Sequence, residues 1–308
     1  MIHLDRRDFC TLATGTVASG LTSEMLSPGL FNTPRSMADE ALQSSHTDGI
    51  WDLHCHFSGV TGSNVEERTT QILEYASRMS IQRLVVFMGW PWSQDPDPGE
   101  FRRQNDQVLS VLKRWPDRLF GFAYVNAKYP DECVKEIDRC IHNGPMVGIK
   151  LWVARKCSEK AIDPIIRRCG ELKATIYQHT WLKVGGNLPG ESTPMDVARL
   201  AERHPSVPII CGHTGGDWTR GIRAVRSASN VSIGIGGGEP QAGFVEMAVR
   251  ELGAERVLYG SDAGGRSFAT QLSKVYSANI TDADKNLILG GNLRRMLGPI
   301  LQAKGVKL

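Results

Sequence analysis

The chain has 308 residues, 41% of them hydrophobic and 22% charged, with 32 glycines. That is the make-up of a globular protein with material for one large core, and it excludes a disordered or fibrous chain. Basic and acidic residues number 36 and 33, for a formal charge of +3 with no dense Lys/Arg stripe, so the charge pattern gives nucleic acid no footing.

Residues 1–45 stand apart from the rest. Asp5-Arg6-Arg7-Asp8-Phe9 precedes a weakly apolar run, Cys10–Leu21, and then a polar, Pro-containing stretch to about His46. A basic n-region, a short apolar h-region and a small-residue site such as Ser36-Met37-Ala38 make a signal peptide. The paired arginines before Phe9 resemble the bacterial twin-arginine export signal. The expectation is therefore a leader and linker at 1–45 and a folded domain at 46–308, exported to the bacterial periplasm or cell envelope. A cytoplasmic location is the alternative if the two arginines are there by chance. The run is too short and polar for a permanent membrane span. Seven scattered cysteines without a CxxC pair do not form a disulfide framework and read as small buried residues.

After Gly49 short apolar, β-branched runs alternate with segments of helical period. That is the signature of parallel strands joined by crossover helices. Eight strands are expected at Ile50–His56, Leu84–Met88, Leu119–Val125, Val147–Trp152, Thr175–His179, Pro208–His213, Val231–Ile235 and Val257–Ser261. Helices are expected at Asn64–Met79, Phe101–Trp115, Asp131–His142, Thr193–His204 and Gln241–Leu252. Eight βα units in about 250 residues suit an α/β fold of the (β/α)8 TIM-barrel type. An open doubly wound sheet is disfavoured, since no GxGxxG opens the first βα turn. Thr281 through Leu297 reads as an extra capped C-terminal helix outside the barrel.

A barrel packs its interior with apolar side chains and places its chemistry at the C-terminal ends of the strands. The first strand ends Asp52-Leu53-His54-Cys55-His56, and alternation along a strand turns both histidines inward. Strand five ends in His179, strand six in Gly212-His213-Thr214-Gly215-Gly216, and strand eight in Gly260-Ser261-Asp262. Any one of these is readily a hydrogen-bonded histidine or a helix cap. All five at one rim make a site for a divalent cation. Asp52, one layer deeper, either supports a ligand imidazole or links strands. Tyr177 and Cys211 read as core. Trp90, Trp92, Trp152, Trp181 and Trp218 fall in or beside loops after strands and suggest a partly apolar pocket. Glu239 and Arg266 are further substrate-contact candidates, with Trp218. His142 and His204 end helices, where imidazolium suits the dipole.

With HxH after strand one, His after strands five and six and Asp after strand eight, the chain resembles the amidohydrolase superfamily. Gly212-His213-Thr214-Gly215-Gly216-Asp217-Trp218, Tyr259-Gly260-Ser261-Asp262 and Ile288-Leu289-Gly290-Gly291-Asn292 are similar to the amidohydrolase-related branch, over about residues 48–298. That branch includes aminocarboxymuconate-semialdehyde decarboxylase, aromatic-acid decarboxylases and lactonases. The resemblance implies one divalent ion, with zinc expected, on His54, His56, His179 and Asp262, and catalytic parts for His213 and Asp262. Lys150 stays open between three roles: contact with a substrate carboxylate, a carboxylated bridge to a second ion, and a structural rim lysine. The leading expectation is hydrolysis of a small lactone, ester or amide by metal-activated water, whose pKa such an ion lowers to about 7. Nonoxidative decarboxylation of an aromatic or muconate-type acid is the alternative, and a binding protein without turnover a third possibility. The partner is a small-molecule substrate, and homo-oligomerisation is left open.

Overall fold

A computed structural model describes residues 49–306; the expected export signal at 1–45 lies outside the described residues. The eight apolar runs form parallel strands in sequence order: β1 (Ile50–Cys55), β2 (Ile81–Val86), β3 (Leu119–Tyr124), β4 (Gly148–Leu151), β5 (Thr175–His179), β6 (Ile209–Gly212), β7 (Val231–Gly234) and β8 (Val257–Leu258). With helices between them, the fold is a (β/α)8 TIM barrel. Strand β8 is short, so the backbone beyond it completes the closure. Leu53 N–H donates to Tyr259 O at 3.1 Å, Asp262 N–H to His54 O at 2.8 Å, and His56 N–H to Ala263 O at 2.9 Å. This seam lays the end of β1 directly beside Asp262.

Crossover helices begin at the rim where the strands end, so their caps hold the loops that surround the site. Asn64 accepts from the Glu67 N–H to start α1 (Val65–Arg78). Asp97 and Glu100 form a reciprocal capping box at α2 (Pro98–Arg114), which starts before the expected Phe101 because Pro98 suits the first helical turn. Helix α3 (Pro130–Ile137) runs on into a π-type turn at Asp138–His142, and α4 (Asp163–Glu171) follows β4. Thr193 and Asp196 cap α5 (Pro194–Arg203) with a second box, and this one anchors the long loop after β5. Helix α6 (Trp218–Val225) is capped by Asp217. The next helix, α7 (Phe244–Leu252), starts later than Gln241, after Gly243 takes a left-handed φ of 82°. Helix α8 (Phe268–Tyr276) follows β8.

The tail expected as one helix is three pieces: α9 (Asp282–Asn286), a π-type turn Leu287–Gly291, and α10 (Asn292–Ala303). It packs across the β8–β1 seam. The Tyr259 N–H donates to Ile288 O at 3.0 Å, and the Asn292 amide donates to Ala254 O and Val257 O at 2.7 and 2.8 Å. Among the described residues no helix is long and apolar enough to cross a membrane. The six cysteines among them are free and buried.

Candidate active site

At the β1–β8 seam three donor atoms converge. His54 Nε2 and His56 Nε2 lie 2.9 Å apart, and Asp262 Oδ1 is 3.0 Å from the first and 3.3 Å from the second. Ligands bound at about 2.1 Å with tetrahedral or octahedral angles stand roughly 3.0–3.4 Å from one another, so these spacings suit a small divalent cation. The donor chemistry also fits. Burial pushes the His54 pKa down to about 3, which keeps the ring neutral with a lone pair to offer. Burial alone would raise Asp262, but His54, His56 and His213 reverse this and hold it well below the usual carboxylate range. Two imidazole nitrogens facing each other beside a carboxylate ask for a cation between them.

The seam holds these groups from behind. Asp52, fully buried, accepts from the His54 N–H at 2.8 Å and the Ser261 N–H at 2.9 Å. Of the two expected roles it therefore links strands, and it touches no imidazole through any of these bonds. Tyr177, expected as plain core, has a further part: its hydroxyl lies 2.7 Å from His54 Nδ1. A phenol donates or accepts, so it can satisfy either tautomer of His54. Asp262 itself sits at a left-handed φ of 57°, and His213 at 58°. Both stand in sparsely populated backbone regions of the kind that cluster at functional sites.

The other predicted histidines complete a chain of ring contacts, with centroids 5.1 Å apart from His54 to His213 and 4.9 Å from His213 to His179. His213 Nδ1 lies 2.8 Å from Gly236 O. A carbonyl only accepts, so Nδ1 carries the hydrogen and Nε2 keeps its lone pair. Burial holds His213 well below its ordinary pKa. Gly237, at φ 93°, backs this ring; a Cβ there would fall 2.1 Å from His213 Nδ1. His179 stands outside the three-donor group. Its Nε2 is 3.0 Å from Glu191, and burial lowers its pKa to about 4. Glu191, which meets this ring, is not marked by the sequence: it lies in an irregular loop, with the following Thr193-Pro194 cap to mark the turn.

These groups open into a cavity of about 250 Å³. Trp92, Trp152 and Trp181 wall it, Trp92 standing edge-on to Trp152 with centroids 4.9 Å apart. Lys150 enters from β4 and is 1% exposed. Its ammonium lies over the faces of Phe87 and Tyr177, 4.7 and 4.1 Å from their centroids. Among the described residues no carboxylate or carbonyl accepts from it, and burial pushes its pKa down to about 7. A second cavity of about 520 Å³ lies behind the Ala263–Phe268 loop, but none of the predicted ligands lines it.

Three substrate-contact expectations divide. Arg266 lines the smaller cavity, its Nε donating to Gly237 O at 3.0 Å. Glu239 does not line it; it is 75% exposed and stands 3.9 Å from Arg266. Trp218 does not line it either, because its ring stacks on Phe244 and its N–H is taken by Gln241. Trp90 is likewise turned away, under the Arg68 guanidinium.

Residues 52–298 match the family described as amidohydrolase. The chain belongs to that family. A curated relative of this amidohydrolase, 2-amino-3-carboxymuconate-6-semialdehyde decarboxylase of Dictyostelium discoideum, is 22% identical over 166 residues. The match spans 47% of this chain and 46% of that protein, so it reaches less than half of the relative's length. Among solved structures, 2,6-dihydroxybenzoate decarboxylase from Rhizobium superposes with a TM-score of 0.66 at 19% identity, covering 82% of this chain and 99% of that one. A dihydroxybenzoic acid decarboxylase from Polaromonas, with bound manganese and the inhibitor 2-nitroresorcinol, gives 0.65 at 18%, covering 82% and 97%. At such identities the structural likeness is one of fold.

Proposed function

We propose that this amidohydrolase removes carbon dioxide, without oxidation, from a small aromatic or muconate-type carboxylic acid. The observation that carries the proposal is Lys150: an ammonium buried in the cavity wall, with ring faces beneath it and no acceptor. A buried charge without a partner is costly, and an anionic ligand repays that cost. Hydrolysis of a lactone, ester or amide, the leading expectation from sequence, acts on a neutral carbonyl group, and a substrate without a separate carboxylate would leave the ammonium unanswered. The decarboxylases named above support the same choice, as does a cavity whose size and tryptophan walls suit a single planar ring.

A divalent ion held by His54, His56 and Asp262, with His179 as its proposed fourth ligand, would supply positive charge against the substrate's oxygens and fix its orientation. Manganese in the Polaromonas enzyme makes that ion a candidate beside zinc. Lys150 is assigned to the substrate rather than to a bridge between two ions, since the described residues hold a single three-donor group. Lys150 binds the acid's carboxylate, and Trp92, Trp152 and Trp181 hold the ring flat and keep water away. As the carbon–carbon bond breaks, its electron pair stays on the ring carbon, carbon dioxide leaves, and a proton takes its place. His213 Nε2 and Asp262 Oδ2 are the atoms we assign to hold and pass that proton.

The test is a panel of hydroxybenzoates, muconate-type acids and lactones offered to protein loaded with zinc or manganese. Carbon dioxide is expected in equal measure to the acid consumed, with no acid released from lactones. Acid release from lactones without carbon dioxide would restore the hydrolase, and binding without turnover would make it a binding protein.

A further inference from the structure

Glu191 lies in the loop between β5 and α5 and is 2% exposed. Its carboxylate gathers three hydrogen bonds. Oε1 is 3.0 Å from His179 Nε2, while Oε2 accepts from Lys183 Nζ at 2.7 Å and from the Leu188 N–H at 3.0 Å. A carboxylate with a lysine and a backbone amide on one oxygen is ionised and can only accept. His179 Nε2 must therefore carry its hydrogen, and the lone pair of the ring is left on Nδ1.

A histidine serves an ion or a proton transfer only through its unprotonated nitrogen, and the bond made by the other nitrogen decides which one that is. Three of the four histidines around the cavity answer to three different partners. His213 donates to a backbone carbonyl, and His54 meets a phenol that fits either tautomer. His179 meets the loop carboxylate of Glu191, which both fixes the tautomer and makes the ring a stronger electron-pair donor.

We propose that Glu191 is a positioning residue: it captures the Nε2–H of His179 and so reserves the Nδ1 lone pair for the ion. This rests on the proposed metal centre but not on which acid or lactone the enzyme consumes. Nothing in the sequence around Glu191 singles it out; the juxtaposition with a strand-end histidine comes from the loop, which the Thr193–Asp196 capping box holds at its far end.

Substitution by glutamine gives a sharp consequence. Lys183 and Leu188 both donate and would claim the single amide oxygen of Glu191→Gln. The amide nitrogen would then face His179, whose Nε2 must accept, and the hydrogen moves to Nδ1. Lys183→Met, in contrast, keeps the carboxylate and leaves the tautomer alone while loosening the loop by a similar amount.

The experiment is a long-range ¹H–¹⁵N correlation of histidine-labelled, metal-free protein at neutral pH, with the His179 signals assigned by their loss in His179→Gln. Wild type and Lys183→Met are expected to show the Nε2–H form, and Glu191→Gln the Nδ1–H form. Zinc affinity by competition with a chelating dye should fall about 10–100-fold in Glu191→Gln and stay within about twofold in Lys183→Met. A wild-type His179 lacking hydrogen on Nε2 would overturn the proposal, and that measurement needs no variant to fold. Equal zinc affinity in all three proteins would overturn the claim that the orientation serves the ion. Because tautomer and zinc binding are read without substrate, a failure of the decarboxylation proposal leaves both results standing.

Discussion

The two sides of the rim are built by different means. At the β1–β8 seam, His54, His56 and Asp262 are set by backbone pairing, with hydrogen bonds of 2.8–3.1 Å running from Leu53 to Ala263 and Asp52 tying His54 to Ser261. Across the cavity, Lys150, His179 and His213 rise from β4, β5 and β6, and their side chains are steered by ring faces, a loop carboxylate and a loop carbonyl. The first side is rigid because moving one donor means breaking a sheet. The second is adjustable at His179 and His213, because their partners Glu191 and Gly236 sit in loops, which can vary without disturbing the barrel. A scaffold of this kind keeps one ion while changing what is done beside it.

The largest effect should come from cutting into the rigid side. Wild-type protein is expected to hold about one equivalent of divalent metal per chain, and His54→Ala close to none, with kcat/KM falling at least about 10³-fold. Metal analysis after exhaustive dialysis checks this. If His54→Ala kept its metal while His179→Ala lost it, the ion would belong to the loop-steered side and the contrast would be reversed.

On the adjustable side the central prediction concerns Lys150, where stability and binding should move in opposite directions. Lys150→Met keeps the length of the side chain and removes a buried charge that has no acceptor. Tm is expected to rise by about 2–4 °C, for a gain of about 1 kcal/mol, while KM for an acid substrate rises about 100-fold. The sign with pH follows from burial. Folded Lys150 titrates near 7 and an unfolded lysine near 10.5, so between these values the unfolded chain binds the extra proton and wild-type stability climbs with pH. The Tm advantage of Lys150→Met should be full below pH 7 and close as pH rises toward 10.5. A gap that widened with pH would mean that the ammonium has a partner in the folded protein.

The same contrast explains what could be read from the sequence. Strand ends announce themselves, since a histidine or aspartate closing an apolar run is conspicuous in a barrel; alternation of strands and helices foretold the fold, five such residues carried the resemblance to the family, and three of them, His54, His56 and Asp262, come together. Strand alternation also placed Asp52 and Tyr177 one layer below the rim. It could not say that the phenol of Tyr177 reaches His54 on another strand, because that contact depends on the radius of the closed sheet. Loop residues carried less signal. Glu191 looks like any loop acid until the chain is folded back on β5. Trp218 and Glu239 look like pocket residues because they follow strands, yet the start of α6 turns Trp218 onto α7. The tail breaks into three pieces because Leu287–Gly291 serves the seam: Ile288 O takes the Tyr259 N–H, and a continuous helix would keep that carbonyl for itself.

The smallest effects should fall on the two expected contacts that the fold places outside the cavity. Trp218 stacks on Phe244 with centroids 5.1 Å apart and planes 20° from parallel, and Gln241 takes its N–H. Its energy is spent on joining α6 to α7. Trp218→Leu should cost about 1–2 kcal/mol of stability, the stacking contribution plus some lost burial, and leave KM within about twofold. Glu239→Gln should change neither, because a carboxylate 75% exposed and 3.9 Å from its arginine contributes little. Urea denaturation and steady-state kinetics on the same preparations separate the two quantities. A tenfold rise in KM for Trp218→Leu at unchanged stability would mean that the loop after β6 closes over bound substrate and brings Trp218 into the cavity. The adjustable side of the rim would then extend past β6, and the tryptophan pattern in the sequence would have been the better guide to the pocket than the static wall formed by Trp92, Trp152 and Trp181.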